Sequence, residues 1–430
     1  VARQRVAVIG GGLAGLAAAV DLKEAGWEVV LFERSRLLGG RATSFTVGGV
    51  EVDNGQHVFL GCFTEFQDFV RRLGLGHTLR LQDRFEALVL SRRGPGSRLR
   101  AAPLPPPWHL LVSFLSYRHL GWRAKAQVAR ALFRARRGAS PGETFDAWLE
   151  RLGQGAEARR AFWEPFFVPA LNAPLDRVGA GEALFVLRTA FLAGGEAARI
   201  GYCTVPLARL AAAAAARLDR VVLARPVVSV EVPGDERAVV VLAGGDQVTV
   251  DAVVAAVPPP QLARLLGRPE SYGLPPLGGY APRPIVDVHL WHDRGSVGFD
   301  FAALLESPVQ WVFQKAPGYL CCSLSAADRS ISRPVDELVR EAWDEVRAAV
   351  PSLGGASLLR GWATRTPEAT YAPPDGVPRP GPATARANLA VAGSWTDTGW
   401  PDTMESAIRS GRAAARSLAR GAGRVACAMS

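Results

Sequence analysis

Lysine is nearly absent from this chain. Only Lys23, Lys125 and Lys315 stand among 50 basic residues, the rest being arginine, and 40 acidic residues leave a net charge of +10. A coding sequence rich in G and C accounts for such a skew with no function attached; a basic surface for nucleic acid or an anionic membrane is the functional reading. No zinc-finger spacing and no RNA-binding aromatic motif is present, which sets nucleic acid aside. Cysteine is scarce too. Cys62, Cys203, Cys321, Cys322 and Cys427 form no CxxC pair and leave one over, a pattern that suits a reducing cytoplasm and not a disulfide framework. The six histidines show no HExxH-like spacing, so no metal is expected. No apolar run reaches the ~18 residues of a bilayer-spanning helix. Because a strand pattern begins almost at the first residue, no secretory leader is expected.

What remains is a globular composition, 48% hydrophobic and 21% charged, in 430 residues. Single cores stop growing beyond about 250–300 residues, so two domains are expected.

Residues 6–34 read VAVIGGGLAGLAAAVDLKEAGWEVVLFER. A buried strand (5–9), an Ala- and Leu-rich helix (13–25) closed by Gly26, and a second strand (28–32) make a βαβ unit. Gly10, Gly12 and Gly15 form GxGxxG between strand and helix, and Glu33 follows 18 positions after the last glycine. In this context the motif is a dinucleotide site. Gly10 allows the tight turn, Gly12 lets backbone approach a pyrophosphate, and Gly15 packs helix on strand. The helix N-terminus offers amides to the phosphates, and Glu33 accepts from the adenosine ribose.

Beyond this unit lie strand patterns at 226–232, 238–242, 247–255, 284–292, 308–314, 319–325 and 388–395. Helices are expected at 205–218, at 334–350, and after the turn TDTGWPDT. The pattern implies an α/β protein: a Rossmann-like cofactor domain assembled from residues 1–75, 201–265 and 386–430, interleaved with an α+β substrate domain from 76–200 and 266–385.

A second glycine pair with an arginine, GGRATS at 39–44, discriminates between dinucleotides, since a nicotinamide dehydrogenase has no reason to repeat glycines there. The chain resembles flavoproteins of the amine oxidase and phytoene desaturase superfamily, which carry GGR at this place, so the resemblance implies FAD. It puts Ala14 and Arg34 with the first motif, and Gly39, Gly40 and Arg41 along the phosphates and ribityl chain. Val227 meets adenine, AVPPP (256–260) ends a strand of the cofactor domain, and Gly55 and Gln56 pass beside the isoalloxazine. Gly393, Ser394, Thr403 and Met404 cradle the ribityl and pyrimidine edge, with Ser394 standing where the superfamily usually has Asp.

Within the superfamily, DNGQHVFLGCFTEF (53–66), PVQWVFQ, EATYAPP (368–374) and SWTDTGWPDTMESAIRSG (394–411) resemble the hydroxysqualene dehydroxylase family. That likeness implies reductive loss of an allylic hydroxyl from hydroxysqualene, giving squalene for hopanoid synthesis. Such chemistry needs an acid for the leaving hydroxyl. His57 is the first candidate, its ordinary pKa near 6.5 letting it hold a proton; Asp397 is the second, and Asp53 braces the turn. A carotenoid-type desaturase running the flavin in the oxidative sense is the alternative. A flavin amine oxidase often attaches FAD through a C-terminal-motif cysteine, and 392–407 has none.

A C30 alcohol resides in the bilayer. Residues 103–137 combine apolar Trp108, Leu110, Leu111, Phe114, Leu115 and Tyr117 with basic Arg118, Arg123, Lys125, Arg130, Arg134, Arg136 and Arg137. This is the composition of an interfacial segment. The expected location is therefore the cytoplasm, attached peripherally to the inner face of the cytoplasmic membrane.

Overall fold

Five short apolar strands, none able to shield its own faces, lie side by side in a parallel sheet. A computed structural model describes residues 3–428 except 107, 236 and 375, with side chains described through residue 421, so that the side chain of Cys427 lies outside the described residues. The sheet order is Arg220–Val222, Glu28–Phe32, Arg5–Ile9, Ala252–Ala255, Leu389–Val391. Every pairing is parallel. Parallel sheets are stable only when covered on both sides. Here Val6, Val8, Val29 and Leu31 pack under the helices Leu13–Glu24, Ala208–Ala215 and Met404–Ala428. Ala7, Ile9, Val30 and Phe32 pack under the helix Pro259–Leu266 and an antiparallel meander of Val227–Glu231, Ala238–Leu242 and Gln247–Val250.

The single strand expected over 247–255 is two. Gln247–Val250 alternates polar and apolar residues and belongs to the meander. Asp251 turns the chain, its carboxylate accepting from the Arg5 N–H at 2.7 Å, and the fully buried Ala252–Ala255 enters the parallel sheet. The last strand is also shorter than expected: it ends at Val391, and two residues on Gly393 takes φ +153°.

A larger, mostly antiparallel sheet runs in the order Leu358–Ala372, Ala281–His292, Tyr319–Leu324, Trp311–Ala316, Phe301–Leu304, Glu86–Ser91, Gly94–Arg100. Its two faces differ. Val286, Val288, Leu290, Leu320, Cys322 and Val312 pack on Leu338, Ala342 and Val346 of the helix Val335–Ala349. On the opposite face, Trp311 and Phe313 join a helical layer built around Tyr117, Phe145, Trp148 and Trp163. Nearer the parallel sheet, that face turns polar.

The helix Thr64–Arg72 shows how the first and last segments are locked. No side chain of its own caps it. Instead the fully buried Glu405, from the first turn of the C-terminal helix, accepts from the Glu65 N–H at 3.1 Å and the Phe66 N–H at 2.9 Å, while Arg409 Nε donates to it at 2.7 Å. Arg412 on the same helix pairs with Glu65 and Asp68. Glu405→Ala leaves two amides and a cation unanswered; a loss of about 3 kcal/mol is expected in denaturant unfolding.

Candidate functional site

The glycine turn has the geometry its spacing implies. Gly10 sits at φ +105°, and a β-carbon there would collide with the Ala256 carbonyl; one on Gly15 would strike the Gly10 carbonyl. Gly12 differs. Nothing comes nearer to a β-carbon built on it than Gly40 Cα at 3.9 Å, so the backbone before the first helix faces open space. That helix has no side-chain cap and no acid in its first turn, which leaves amide hydrogens for an anionic ligand. Glu33 is buried at the end of the second strand, accepting from the Gly11 N–H at 2.7 Å and the Ser35 N–H at 2.8 Å. A carboxylate has about four acceptor positions, so two remain for ribose hydroxyls. Ala14 is buried in the first turn, Arg34 is exposed, and Val227 opens the meander beside this corner, where the Arg225 N–H donates to the Glu33 carbonyl at 3.2 Å.

The second glycine pair is folded onto the first. The Gly39 N–H donates to the Gly11 carbonyl at 2.8 Å, and Gly40 packs against Gly12. Arg41 then reaches across the molecule. Its guanidinium donates to the Ala369 carbonyl at 2.9 Å, to Asp402 at 3.0 Å and to Ser394 Oγ at 2.5 Å. The sequence reading assigns Arg41 to a pyrophosphate; the structure gives its charge to Asp402. Ser394 is buried under this contact, and Gly393 is fixed by its N–H donating to Ser410 Oγ at 2.9 Å. Thr403 precedes the C-terminal helix, its hydroxyl accepting from the Ser406 N–H at 3.3 Å, and Met404 is the first helical residue.

The DNGQH loop is held between both glycine motifs and the large sheet. The Asn54 side chain donates to the Arg41 carbonyl at 3.0 Å and accepts from the Thr43 N–H at 3.0 Å. Asp53 accepts from Ser44 Oγ at 2.7 Å, from the Leu207 N–H at 3.0 Å and from Lys315 at 3.3 Å, the bracing role expected of it. The Gln56 N–H points at the Asp287 carboxylate, 3.3 Å away, and Gln56 Oε1 is buried with no partner among the described residues.

Beneath this loop, two cross-strand rows share the polar face of the large sheet. One runs Trp311, Ser323, Asp287, Thr364, and the next Phe313, Cys321, His289, Trp362. His289 Nδ1 lies 2.7 Å from the Tyr319 hydroxyl. Burial dominates the acid–base behaviour here. It raises the Asp287 carboxyl to about 7, against the Gln56 N–H, the Ser323 hydroxyl and the Lys315 charge. It lowers His289 to about 4, Lys315 adding to the effect.

The structure gives both sequence candidates for the acid a setting that the sequence does not show. His57 is half-buried within the DNGQH loop, its Nε2 3.1 Å from Asn54 Oδ1. Burial lowers its imidazole to about 4, with Asp53 opposing and Lys315 reinforcing, so at neutral pH the ring is uncharged and is not a standing proton donor. Asp397 is exposed and accepts from the Gly399 N–H at 3.2 Å, the part of an Asp that shapes a turn. Asp287, His289, Lys315 and Tyr319 were missed. The signal was present in PIVDVHLWH, where Asp287, His289 and Trp291 alternate against Val286, Val288 and Leu290.

The family model of flavin-containing amine oxidoreductases matches residues 13–419. The chain belongs to that family. A hydroxysqualene dehydroxylase of Rhodopseudomonas palustris is 30% identical, over 95% of this chain and 97% of the relative. A 15-cis-phytoene desaturase of Synechococcus elongatus is 26% identical, over 96% and 95%. Among solved structures, cyclohexylamine oxidase from Brevibacterium oxydans superposes with a TM-score of 0.73 at 19% identity, covering 98% of this chain and all of that one.

This flavin-containing oxidoreductase uses FAD, and the residues present fit the cofactor. The uncapped helix start at Gly12, the two free acceptor positions of Glu33 and the unpartnered Gln56 Oε1 are features a dinucleotide would satisfy. Glu33→Ala removes the acceptor that sets the Gly11 turn. At about 1–3 kcal/mol for a buried donor left unpaired, the variant is expected to purify with at least tenfold weaker FAD retention, read from flavin absorbance per chain after gel filtration.

Proposed function

We propose that the enzyme removes the allylic hydroxyl of hydroxysqualene reductively, giving squalene. The likeness to the Rhodopseudomonas palustris hydroxysqualene dehydroxylase over almost the whole chain carries this reading. When bound and reduced, FAD would supply the hydride. Gly10, Gly12, Ala14 and Gly15 would hold its pyrophosphate, Glu33 and Arg34 its ribose, and Val227 its adenine. Gly39, Gly40, Gly393 and Ser394 would line the ribityl chain, with Arg41 holding the Ser394 segment in place. Gly55, Gln56, Thr403 and Met404 would meet the ring.

The chain's remaining tasks are to bind an apolar isoprenoid, exclude water and manage one proton. The sheet face beyond Asp287 suits the second, since Phe301, Trp311 and Phe313 continue it as aromatic packing buried under the helical layer. Excluding water protects an electron-deficient allylic carbon from hydration.

A peripheral membrane position completes the proposal. Among the described residues no helix is long and apolar enough to cross a membrane. Trp122 and Phe133 are 72% and 74% exposed on the helix Trp122–Arg134. Eleven residues apart, about three turns, they share one face. Arg123, Arg130 and Arg134 form an adjoining exposed row. Trp108, Leu111, Val112 and Leu115 add exposed apolar surface from the preceding segment. Three residues of the expected patch turn inward instead. Tyr117 is fully buried, donating to the Ala161 carbonyl at 2.7 Å; Phe114 packs edge-on against Phe162; Lys125 is buried with its ammonium on the Leu115 carbonyl. The outward set still pairs aromatics with cations as interfacial segments do.

The reaction is tested anaerobically, by reducing the flavin and adding hydroxysqualene in liposomes. Flavin reoxidation with squalene formation is expected. Desaturation of a polyene by the oxidised enzyme, with hydroxysqualene left intact, would favour a desaturase like that of Synechococcus elongatus. Replacing Trp122 and Phe133 together by Glu is expected to weaken flotation with anionic vesicles by about tenfold or more, at ~1 kcal/mol or more per membrane-facing group. Unchanged flotation would remove this helix from the membrane contact.

A further inference from the structure

We propose that Asp287 is the acid that protonates the departing allylic hydroxyl, an inference that rests on the dehydroxylase reading above. Its position argues for this. The carboxyl is buried in the strand Ala281–His292, on the sheet face that meets the DNGQH loop. Oδ1 lies on the Gln56 N–H, and Oδ2 occupies the space a β-carbon on Gly55 would need. Gly55 therefore admits this carboxyl to the loop. In the same cross-strand row, with Ser323 on the strand between them, stands Trp311 of the aromatic packing. A buried proton source and the aromatic packing that keeps water from it thus share one sheet face.

Asp287 is faced by groups from every element packed against it. His289 is on its own strand; Cys321 and Ser323 come from one neighbouring strand, Thr364 from the other, Lys315 from the strand beyond, and Asp53, Gln56 and His57 from the loop. His57 and His289 are held neutral, Lys315 is paired with Asp53, and burial pushes Tyr319 and Cys321 well above their usual ranges. Burial leaves Asp287 able to keep its proton up to about pH 7.

In the proposed step the carboxyl proton goes to the hydroxyl oxygen. The carbon–oxygen bond breaks with its electron pair on oxygen, and water departs. Asp287 is left as carboxylate, stabilised by the Gln56 N–H and the Lys315 charge. The allylic carbon is completed by the hydride already assigned to reduced flavin. Because the acid form is the working form, the rate is full below the Asp287 pKa and falls as pH rises through about 7.

The test compares the wild-type holoenzyme with Asp287→Asn and Asp287→Glu. Asn is expected to cut squalene formation by about 10²–10⁴-fold and to abolish the alkaline fall, with flavin content and unfolding midpoint unchanged; Glu restores part of the rate. Infrared titration of the flavin-free wild-type chain gives a readout independent of turnover and of any variant's folding. A protonated-carboxyl band should disappear between about pH 6 and 8. Squalene formation by Asn within a few-fold of wild type, or a carboxyl ionised throughout that range, overturns the assignment and leaves the dehydroxylase reading intact. A wild-type enzyme that forms no squalene overturns that reading, and this inference with it.

Discussion

The guanidinium of Arg41 joins three stretches that are remote in the chain: the GGR turn, the end of the longest strand of the large sheet, and the C-terminal motif. Asp402 receives both Arg41 and the Tyr371 N–H, so one carboxylate fixes the large sheet to the cofactor sheet. The Arg41 carbonyl, in turn, anchors Asn54 and with it the DNGQH loop. Geometry at the reacting face is therefore set by a half-buried ion pair whose members are also bonded to backbone. Such a charge-assisted network gives orientation more than net stability.

The division of labour between the two sheets follows from how each is buried. The parallel sheet is covered on both faces and has nothing polar to offer except at its strand ends, where turn glycines and Glu33 collect. The antiparallel sheet is apolar on one face only. Its other face can carry Asp287 and His289 because loop backbone and neighbouring side chains meet them there. The candidate site thus falls where the ends of one sheet meet the face of the other, a location set by layer packing.

Legibility in the sequence follows the range of the interactions. The GxGxxG turn was readable because its glycines and the Glu33 that bonds to it lie within one βαβ unit, although Ala256 and Gly39 also close on it. Asp53 was readable as a brace because it sits at a turn. The acid–base reading of His57 rests on a reference pKa, because a sequence does not carry the burial that lowers it. Asp287 was passed over because its meaning depends on Gln56, 231 residues away, and on a register that only the folded sheet fixes. Asp397 was given too much weight, since proximity to a characteristic motif does not distinguish a turn-former from a buried acid. In 247–255, the change from alternating to continuous apolar residues at Asp251 marked the passage between sheets, and a reading by apolar content alone merged them.

The cofactor sheet takes one edge strand from Leu389–Val391, and the first helix is covered by the last, with Gly411 letting the two backbones touch at Ala14. A growing polypeptide therefore displays its nucleotide turn long before anything can close over it. At ~5–20 residues per second the interval is roughly 20–80 s. During that time the first two strands lack the cover of the last helix. Cofactor loading then waits until the strand Leu389–Val391 and the helix that follows it have been made and folded back onto the nucleotide turn.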